Sequence, residues 1–211
     1  MLTNTRPKPA PRTGPKPLRD KKRAISWSQI SSFEYDKEQW YQKYVMKIKP
    51  EPSAAMLFGS KVGKQIETDP KYLPQIPRQK VMEYEFEAKY KGITLTGFGD
   101  AFDDVAFRLE EYKTGKWQKP WTQKRVDKHG QITMYLFMKW LLEKIPPERF
   151  TCGLHWMPTE ELEDGTIQFL EPIEDHIKHF ETKRTMKDLR EFAQRLEATV
   201  AAMDRYCEVH P

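Results

Sequence analysis

Cysteine is scarce in this sequence, with two residues, Cys152 and Cys207, in a chain of 211. Two isolated cysteines match none of the paired spacings that bind zinc. A disulfide between them is not expected in a reducing compartment. Because free cysteine is among the most frequently buried residues, we predict two buried thiols.

Long apolar runs are also missing, and no segment approaches the length that crosses a bilayer. The basic N-terminus has no apolar segment behind it, so it does not have the pattern of a secretory signal. The sequence contains neither a glycine-rich nucleotide-binding loop nor a Ser–His–Asp signature. We therefore expect a cytoplasmic protein with no membrane partner. The two missing motifs give no support for a nucleotide-binding protein with a glycine-rich loop or for a Ser–His–Asp hydrolase.

Charged residues make up 32% of the chain and hydrophobic residues 38%, which is typical of a folded, water-soluble domain. The net charge of +5 permits an anionic partner such as nucleic acid but does not require one. Residues 1–24 are rich in proline and in basic side chains, so we predict a disordered tail there and a domain over residues 25–211. The tail is either an electrostatic arm that contacts phosphates or a solubilising tether.

Apolar spacing and capping residues predict two helices after the tail. The first is capped by Ser26 or Ser28 and continues to Val45, and the second runs from Ala54 to about Thr68. Alternating apolar residues then predict an antiparallel meander of three strands, over Val81–Ala88, Ile93–Gly97 and Val105–Tyr112.

The remaining pattern predicts a long helix, a strand with a hairpin partner and a closing helix. These elements run from about Lys124 to Lys144, from Phe150 to Met157, from Ile167 to Phe169, and from Met186 to about Tyr206. The fold class that follows is α/β, with a mixed central β-sheet flanked by helices in the order helix, three strands, helix, strand.

Three charged residues in the meander form a candidate catalytic group. Glu111 and Lys113 lie two positions apart on one strand and therefore point to the same face, and the neighbouring strand can place Asp100 beside them. Two carboxylates suit Mg²⁺ or Mn²⁺, and a lysine can position water or stabilise charge on a phosphate. On a solvated strand the same residues would simply be exposed charges.

Four motifs in this order resemble the PD-(D/E)XK nucleases, specifically the RecB-like exonuclease branch. They are the serine-rich helix start SWSQISSFEYDKEQWYQKY, Asp100 near a strand end, the run from Glu111 to Gly115 (EYKTG), and Gln131 with Tyr135 on the following helix. The resemblance spans roughly residues 26–135 and implies a restriction-endonuclease-like core.

The resemblance implies that the domain is a metal-dependent deoxyribonuclease, of exonuclease type, that acts in recombination, repair or the processing of phage or mobile-element DNA. Asp100 and Glu111 would hold Mg²⁺ or Mn²⁺, Lys113 would position water, and Gln131 and Tyr135 would orient the site. DNA is the expected substrate rather than RNA, and a helicase, recombinase or other DNA-processing protein is an expected partner.

Departures from the family pattern concern the helix before the strands. Gly63 stands where relatives often carry a histidine, and Glu67 stands at the position of their helical glutamate. Glu67 is therefore a candidate third metal ligand, or else a solvated helix charge. Some relatives hold an iron–sulfur cluster through four cysteines, which this chain lacks, so we expect no such cluster.

An aromatic and basic run directly follows the candidate site. Its residues Lys116, Trp117, Lys119 and Trp121 are candidates for nucleic-acid binding, since indole rings stack on bases and ammonium groups contact phosphates. Both tryptophans would alternatively pack under the edge of the sheet. The main alternative for the whole protein is a catalytically inactive nucleic-acid-binding or scaffolding module with the nuclease fold, which the glycine at position 63 favours.

Overall fold

The computed structural model describes residues 24–48 and 50–210. The predicted tail, residues 1–24, lies outside the described residues except for Ala24, which begins the first strand. The strands are β1 (Ala24–Ile25), β2 (Val81–Tyr90), β3 (Ile93–Asp103), β4 (Arg108–Lys116), β5 (Thr151–Glu161), β6 (Ile167–Phe169) and β7 (Lys178–Thr182). The α-helices are α1 (Trp27–Tyr35), α2 (Lys37–Trp40), α3 (Ala54–Thr68), α4 (Gln123–Asp127), α5 (Gly130–Glu143), α6 (Ile173–His176) and α7 (Met186–Val209).

The seven strands form one mixed sheet. β2, β3 and β4 are an antiparallel meander, and β4 pairs in parallel with β5 through nine residue pairs. A parallel pair needs a crossover connection, which α4 and α5 provide. The predicted order of helix, three strands, helix and strand is therefore confirmed, with α3, the meander, α5 and β5 as its members.

Helices cover both faces of the sheet. On one face α5 packs over apolar side chains of the meander, including Phe86, Phe102 and Leu109, and α7 packs against α5 in the same large apolar cluster. On the other face Val62 and Ile66 of α3 contribute to a smaller cluster that contains Met157 of β5. Because both faces are covered, the central strands are buried over much of their length, and polar residues on them have to find partners within the protein.

Two predicted helices are interrupted in the structure. The first helix ends at Asp36, whose carboxylate accepts a hydrogen bond from Gln39 N at 3.0 Å and starts α2 instead, followed by a π-helical turn over Tyr41–Val45. Ser26 is the residue that caps α1. The helix predicted from Lys124 to Lys144 divides into α4 and α5 at Lys128 and His129.

The third strand of the meander begins later than its apolar pattern predicts. Residues 104–107 form a turn, because Asp103 Oδ1 accepts hydrogen bonds from Val105 N and Ala106 N, both at 2.8 Å, and β4 starts at Arg108. Val105, predicted as a strand residue, is exposed. The short strands β1 and β7 were not predicted, whereas α3 has the predicted bounds.

Both cysteines are buried and free, as predicted. In the described part of the chain, no helix combines the length and the apolar character needed to span a membrane.

Arg184, which is 2% exposed, joins the two pieces of the interrupted helix to the sheet. Its guanidinium donates to the carbonyl oxygens of Val126 at 3.0 Å and His129 at 3.2 Å, at the end of α4 and the start of α5. It also donates to the hydroxyl groups of Thr133 on α5 and Thr182 on β7. Oxygens from three elements therefore compensate the buried charge of Arg184. In return, the guanidinium supplies the hydrogen-bond donors that these buried oxygens need.

We expect Arg184→Ala to lower the free energy of unfolding by roughly 3 kcal/mol, because it leaves several buried oxygens without a donor. Urea denaturation followed by circular dichroism measures the loss. Arg190→Ala, which removes an exposed arginine of α7, is the matched control and should change stability by less than about 0.5 kcal/mol. Equal stability of the two variants would contradict this account of Arg184.

Candidate active site

The candidate site lies where β3 and β4 separate. The two strands pair only through Ala101 with Glu110, Phe102 with Leu109, and Asp103 with Arg108. Residues of β3 before Ala101 pair with β2, and residues of β4 after Glu110 pair with β5. Asp100 and Glu111 are therefore the first residues on either side of the fork, and Lys113 is the next residue of β4 on the Glu111 face.

Asp100 closes the fork with a hydrogen bond. Its Oδ2 accepts from the backbone N–H of Tyr112 at 2.5 Å, which is a donor that β3 would otherwise have satisfied. Burial raises the pKa of Asp100, and the charge of Lys113 and the Tyr112 N–H act in the opposite direction. The Asp100 carboxylate is thus hydrogen-bonded to the backbone of β4, and it also lines a cavity next to α3.

Glu111 is fully buried, with an exposed fraction of 0%. One of its oxygens accepts a hydrogen bond from Lys113 Nζ, whereas Oε2 is buried and has no hydrogen-bond partner among the described residues. Burial and, second, the nearby charge of Asp100 raise the pKa of Glu111 from 4.5 to about 8. A buried oxygen without a donor next to a second carboxylate is the environment that a bound cation would compensate.

A chain of hydrogen bonds connects Lys113 to helix α5. Lys113 Nζ also donates to Gln131 Oε1 at 3.1 Å, and Gln131 Nε2 donates to the hydroxyl oxygen of Tyr135 at 2.8 Å. The Tyr135 hydroxyl donates in turn to the carbonyl oxygen of Phe98 on β3. The structure therefore brings together all five residues predicted as catalytic, with Gln131 and Tyr135 holding the lysine rather than reaching the cavity.

Two glycines of β3 allow close packing of aromatic and aliphatic side chains against this strand, and Gly97 makes room for Tyr135. A Cβ atom at Gly97 would lie 2.7 Å from Tyr135 Cε1, and one at Gly99 would lie 3.0 Å from Phe86 and 3.1 Å from Leu109 side-chain atoms. The ring of Tyr135 stacks on Phe86 with centroids 4.9 Å apart. Tyr135 of α5 thus lies close to β3 at Gly97, and its hydroxyl accepts the hydrogen bond from Gln131, which contacts Lys113.

A cavity of about 580 Å³ opens in front of the fork, between α3 and the ends of β2, β3 and β4. Asp100, Lys113, Glu67 and Gly63 line it. Glu67 forms an ion pair with Lys64 at 2.8 Å, and in residues 24–48 and 50–210 no three His, Cys, Asp or Glu side chains are arranged to hold a metal ion. Asp100, Glu111 and Glu67 therefore do not form a ready-made set of three ligands, and the role of Glu67 stays a prediction.

Glu83 of β2 also lines this cavity, although it was not predicted as a site residue. It lies opposite Asp100 at the one position where the β2–β3 ladder has no pair, and its backbone has a positive φ of 51°. Partial burial raises its pKa, and the charges of Asp100 and Glu67 act in the same direction. The sequence carries no signal for it, because Glu83 belongs to the same alternating pattern as Glu85 and Glu87, which lie outside the cavity.

The donor chemistry of the fork fits a hard divalent cation. Asp100 and Glu111 supply carboxylate oxygens, and the buried Oε2 of Glu111 has no other partner among the described residues. Mg²⁺ is commonly held by one or two carboxylates and completes its shell with water and substrate phosphate. Two protein carboxylates are therefore compatible with this ion, although three side chains were predicted.

The four residues predicted to bind nucleic acid differ in exposure and in their partners, and their role stays a prediction. Lys116 pairs with Glu161 at 2.6 Å, and Lys119 and Trp117 are exposed, Trp117 by 47%. Trp121 is half-buried against a small apolar cluster of α4 and β5 and also lines a second groove beside α5. Packing of a tryptophan against the sheet, the alternative considered from the sequence, is thus found for Trp121 and not for Trp117.

Glu110, the neighbour of Glu111 on β4, is buried on the opposite face of the sheet. Its carboxylate accepts from Gln79 Nε2 at 2.9 Å and from Arg108 Nε at 3.0 Å, and it lies 2.8 Å from His155 Nε2. This carboxylate is fully compensated within the protein, in contrast to that of Glu111. Of these two adjacent glutamates, only Glu111 therefore has a buried carboxylate oxygen without a hydrogen-bond partner among the described residues.

Comparison with known proteins supports the fold. No protein-family model matches the chain, and no curated protein matches it significantly. A candidate exonuclease from Eubacterium rectale superposes with a TM-score of 0.52 at 13% identity, over 89% of this chain and 82% of that one. A phage-related exonuclease from Haemophilus somnus 129PT superposes with a TM-score of 0.51 at 10% identity, over 87% and 82%. At such identities the likeness establishes the mixed α/β fold and not the activity.

We expect the stability of the metal-free protein to fall as the pH rises from about 4.5 to about 8, because of Glu111. In this interval the folded carboxyl keeps a proton that the unfolded chain releases, so the folded state binds more protons and unfolding becomes easier with rising pH. Glu111→Gln should remove this part of the decline and raise the free energy of unfolding at pH 8 by more than about 1 kcal/mol.

Urea denaturation at several pH values in EDTA is the measurement. Glu85→Gln, an identical change at an exposed position of β2, is the matched control and should keep the pH dependence of the wild type. A Glu111→Gln protein with the same decline as the wild type would show that Glu111 is ionised in the folded chain.

Proposed function

We propose that this chain is a nuclease that hydrolyses phosphodiester bonds of DNA with Mg²⁺ or Mn²⁺. The observation that carries the proposal is the fork between β3 and β4. It brings Asp100, Glu111 and Lys113 together beside a cavity and leaves one buried carboxylate oxygen without a partner among the described residues. Two solved structures of similar fold are named exonucleases, which supports the same class of reaction.

Each residue has a defined part in this reaction. A bound divalent cation would polarise the scissile phosphate and lower the pKa of an attacking water. Asp100 and Glu111 would hold it, and Lys113 Nζ would stabilise the negative charge that develops on the phosphate. Gln131 and Tyr135 act by fixing Lys113, because their hydrogen bonds end on the backbone of β3 rather than in the cavity.

The finer parts of the proposal are that the enzyme is exonucleolytic and acts in recombination, repair or the processing of phage or mobile-element DNA, in the cytoplasm. The names of the two structural neighbours, one of them phage-related, support the exonuclease part, and the motif resemblance supports the biological setting. A helicase or recombinase is the kind of partner that would present DNA ends to it.

We expect purified protein to degrade end-labelled single-stranded DNA in Mg²⁺ or Mn²⁺ and to leave circular single-stranded DNA intact. Asp100→Asn and Lys113→Ala should each lower the rate at least about a hundredfold, since each removes a group that acts on the transition state. Asp104→Asn, in the exposed turn after β3, and Lys89→Ala, at an exposed position of β2, are matched controls and should cleave at the wild-type rate.

Cleavage of the circular substrate would identify an endonuclease and reject the exonuclease part alone. Undiminished cleavage by Asp100→Asn and Lys113→Ala would reject the site. DNA binding by the wild type without cleavage in either metal would favour the inactive binding module, which the glycine at position 63 and the lack of a third ligand among the described residues support.

We expect Gly63→His to strengthen the binding of Mn²⁺. A Cβ atom at Gly63 meets nothing within 4 Å, and this residue lines the cavity beside Asp100, so an imidazole has room to approach the cation. Imidazole is a good ligand for transition metals and a poorer one for Mg²⁺, so the gain should be larger for Mn²⁺.

Isothermal titration calorimetry measures the dissociation constant of each ion in this experiment. Leu57→His adds the same ring at an exposed position of α3 outside the cavity and should leave both constants unchanged. Equal Mn²⁺ affinities of the wild type and Gly63→His would argue against a cation at the fork.

A further inference from the structure

A second groove, of about 550 Å³, lies beside the first turn of α5. Two tryptophans, Trp27 and Trp121, and four cations line it together with smaller residues; the cations are Lys124, Arg125, Lys128 and Arg195. We call this surface the tryptophan groove. It is made by the start of α1, the helix α4, the start of α5 and the middle of α7, so four separate parts of the chain converge on it.

The charged residues that line the tryptophan groove are all basic, whereas the active-site cavity is lined by both carboxylates and lysines. Among the described residues no aspartate or glutamate lines the groove, whereas Glu67, Glu83 and Asp100 line the cavity. Lys124 and Lys128 are exposed, and neither makes an ion pair with a residue that the structure describes. Arg195 is paired with the carboxylate of Glu34, so the available cations are Lys124, Lys128 and Arg125. Two ammonium groups on one short helix and its end, with one guanidinium group nearby, form a site for an anion with several phosphates.

Both tryptophans line the groove and are partly packed against apolar clusters of the protein. Trp27 lies against Gly130, where a Cβ atom would come within 2.0 Å of its ring, so only glycine allows this contact at the start of α5. The guanidinium of Arg195 lies 5.4 Å from the ring centroid of Trp27, and that of Arg125 lies 4.1 Å from the ring of Trp121. Indole rings and guanidinium planes are the groups on which unpaired bases stack.

The groove adjoins the active site through α5. Gly130 lines the groove, and the next residue, Gln131, accepts the hydrogen bond from Lys113. No side chain caps the first turn of α5, where the helix dipole is positive. The preceding His129 is neutral, since burial and then the charge of Lys113 lower its pKa to about 3. The groove thus ends one residue away from the side chain that holds Lys113.

We propose that the tryptophan groove binds a single-stranded segment of the DNA substrate next to the cleavage site. Bases stack on Trp27 and Trp121, and Lys124 and Lys128 hold the backbone phosphates. A single strand is required because the base faces of a duplex are already covered by their neighbours, whereas every unpaired base has a face to stack. The assignment of DNA as the ligand rests on the proposed function.

Binding is measured without catalysis, by fluorescence anisotropy of a labelled oligothymidylate of about 15 nucleotides in EDTA. Lys124→Gln/Lys128→Gln should weaken binding and lower the slope of log affinity against log salt by about 0.7 for each phosphate that the variant no longer neutralises. Trp121→Ala should weaken binding about tenfold, and Trp121→Phe, which keeps an aromatic face, should restore most of it.

The matched control is Lys144→Gln/Arg205→Gln, which removes the same charge at the far end of α5 and near the end of α7. It should bind with the affinity and salt dependence of the wild type. Wild-type binding by the Lys124→Gln/Lys128→Gln and Trp121→Ala variants would overturn the proposal. Tighter binding of a duplex than of the single strand, reduced equally in the groove variants, would overturn the single-strand part.

The same variants separate this inference from the proposed function. Groove-dependent binding by a wild type that cleaves nothing in Mg²⁺ or Mn²⁺ would support the groove and reject the nuclease. Cleavage that depends on Asp100, together with binding that does not depend on the groove residues, would support the nuclease and reject the groove.

Discussion

The hydrogen bond from Tyr112 N–H to Asp100 Oδ2 is the interaction on which the rest of the site depends. Two paired strands that separate inside a protein leave backbone donors and acceptors that have to be satisfied. Here a side chain of one strand satisfies the backbone of the other, so the sheet can open without leaving this N–H unpaired. The opening in turn admits Glu111 and Lys113 to the same space and exposes Asp100 to the cavity.

The opened sheet is stabilised from one side by α5, which reaches it through Tyr135 and the glycines of β3. The same helix supplies Gln131 to the lysine and Gly130 to the tryptophan groove. The cavity that contains the carboxylates and the basic groove are thus connected through Gln131 and its hydrogen bond from Lys113. This arrangement suits a substrate whose phosphates are held at one place and whose bond is broken at another.

The parts of the fold that local physics determines were predictable from the sequence. Alternation from Val81 onward and the helix Ala54–Thr68 were correct, because each carries its own periodicity and end signals. The five residues predicted as catalytic came together because three lie on two neighbouring strands and two on one helix face. Glu83 and the break at His129 were missed, since the first depends on a distortion of the β2–β3 ladder and the second on contacts with Arg184 and Trp27.

The adjacent glutamates of β4 also restrict how this protein can change its length. Glu110 is compensated by Arg108 and His155 on one face, and Glu111 serves the fork on the other. A one-residue insertion or deletion between Asp100 and Lys113 that shifted β4 along β5 would exchange the two carboxylates and turn Arg108 to the wrong face. Natural variation in length should therefore be confined to connections outside this segment, such as the exposed turn between β5 and β6.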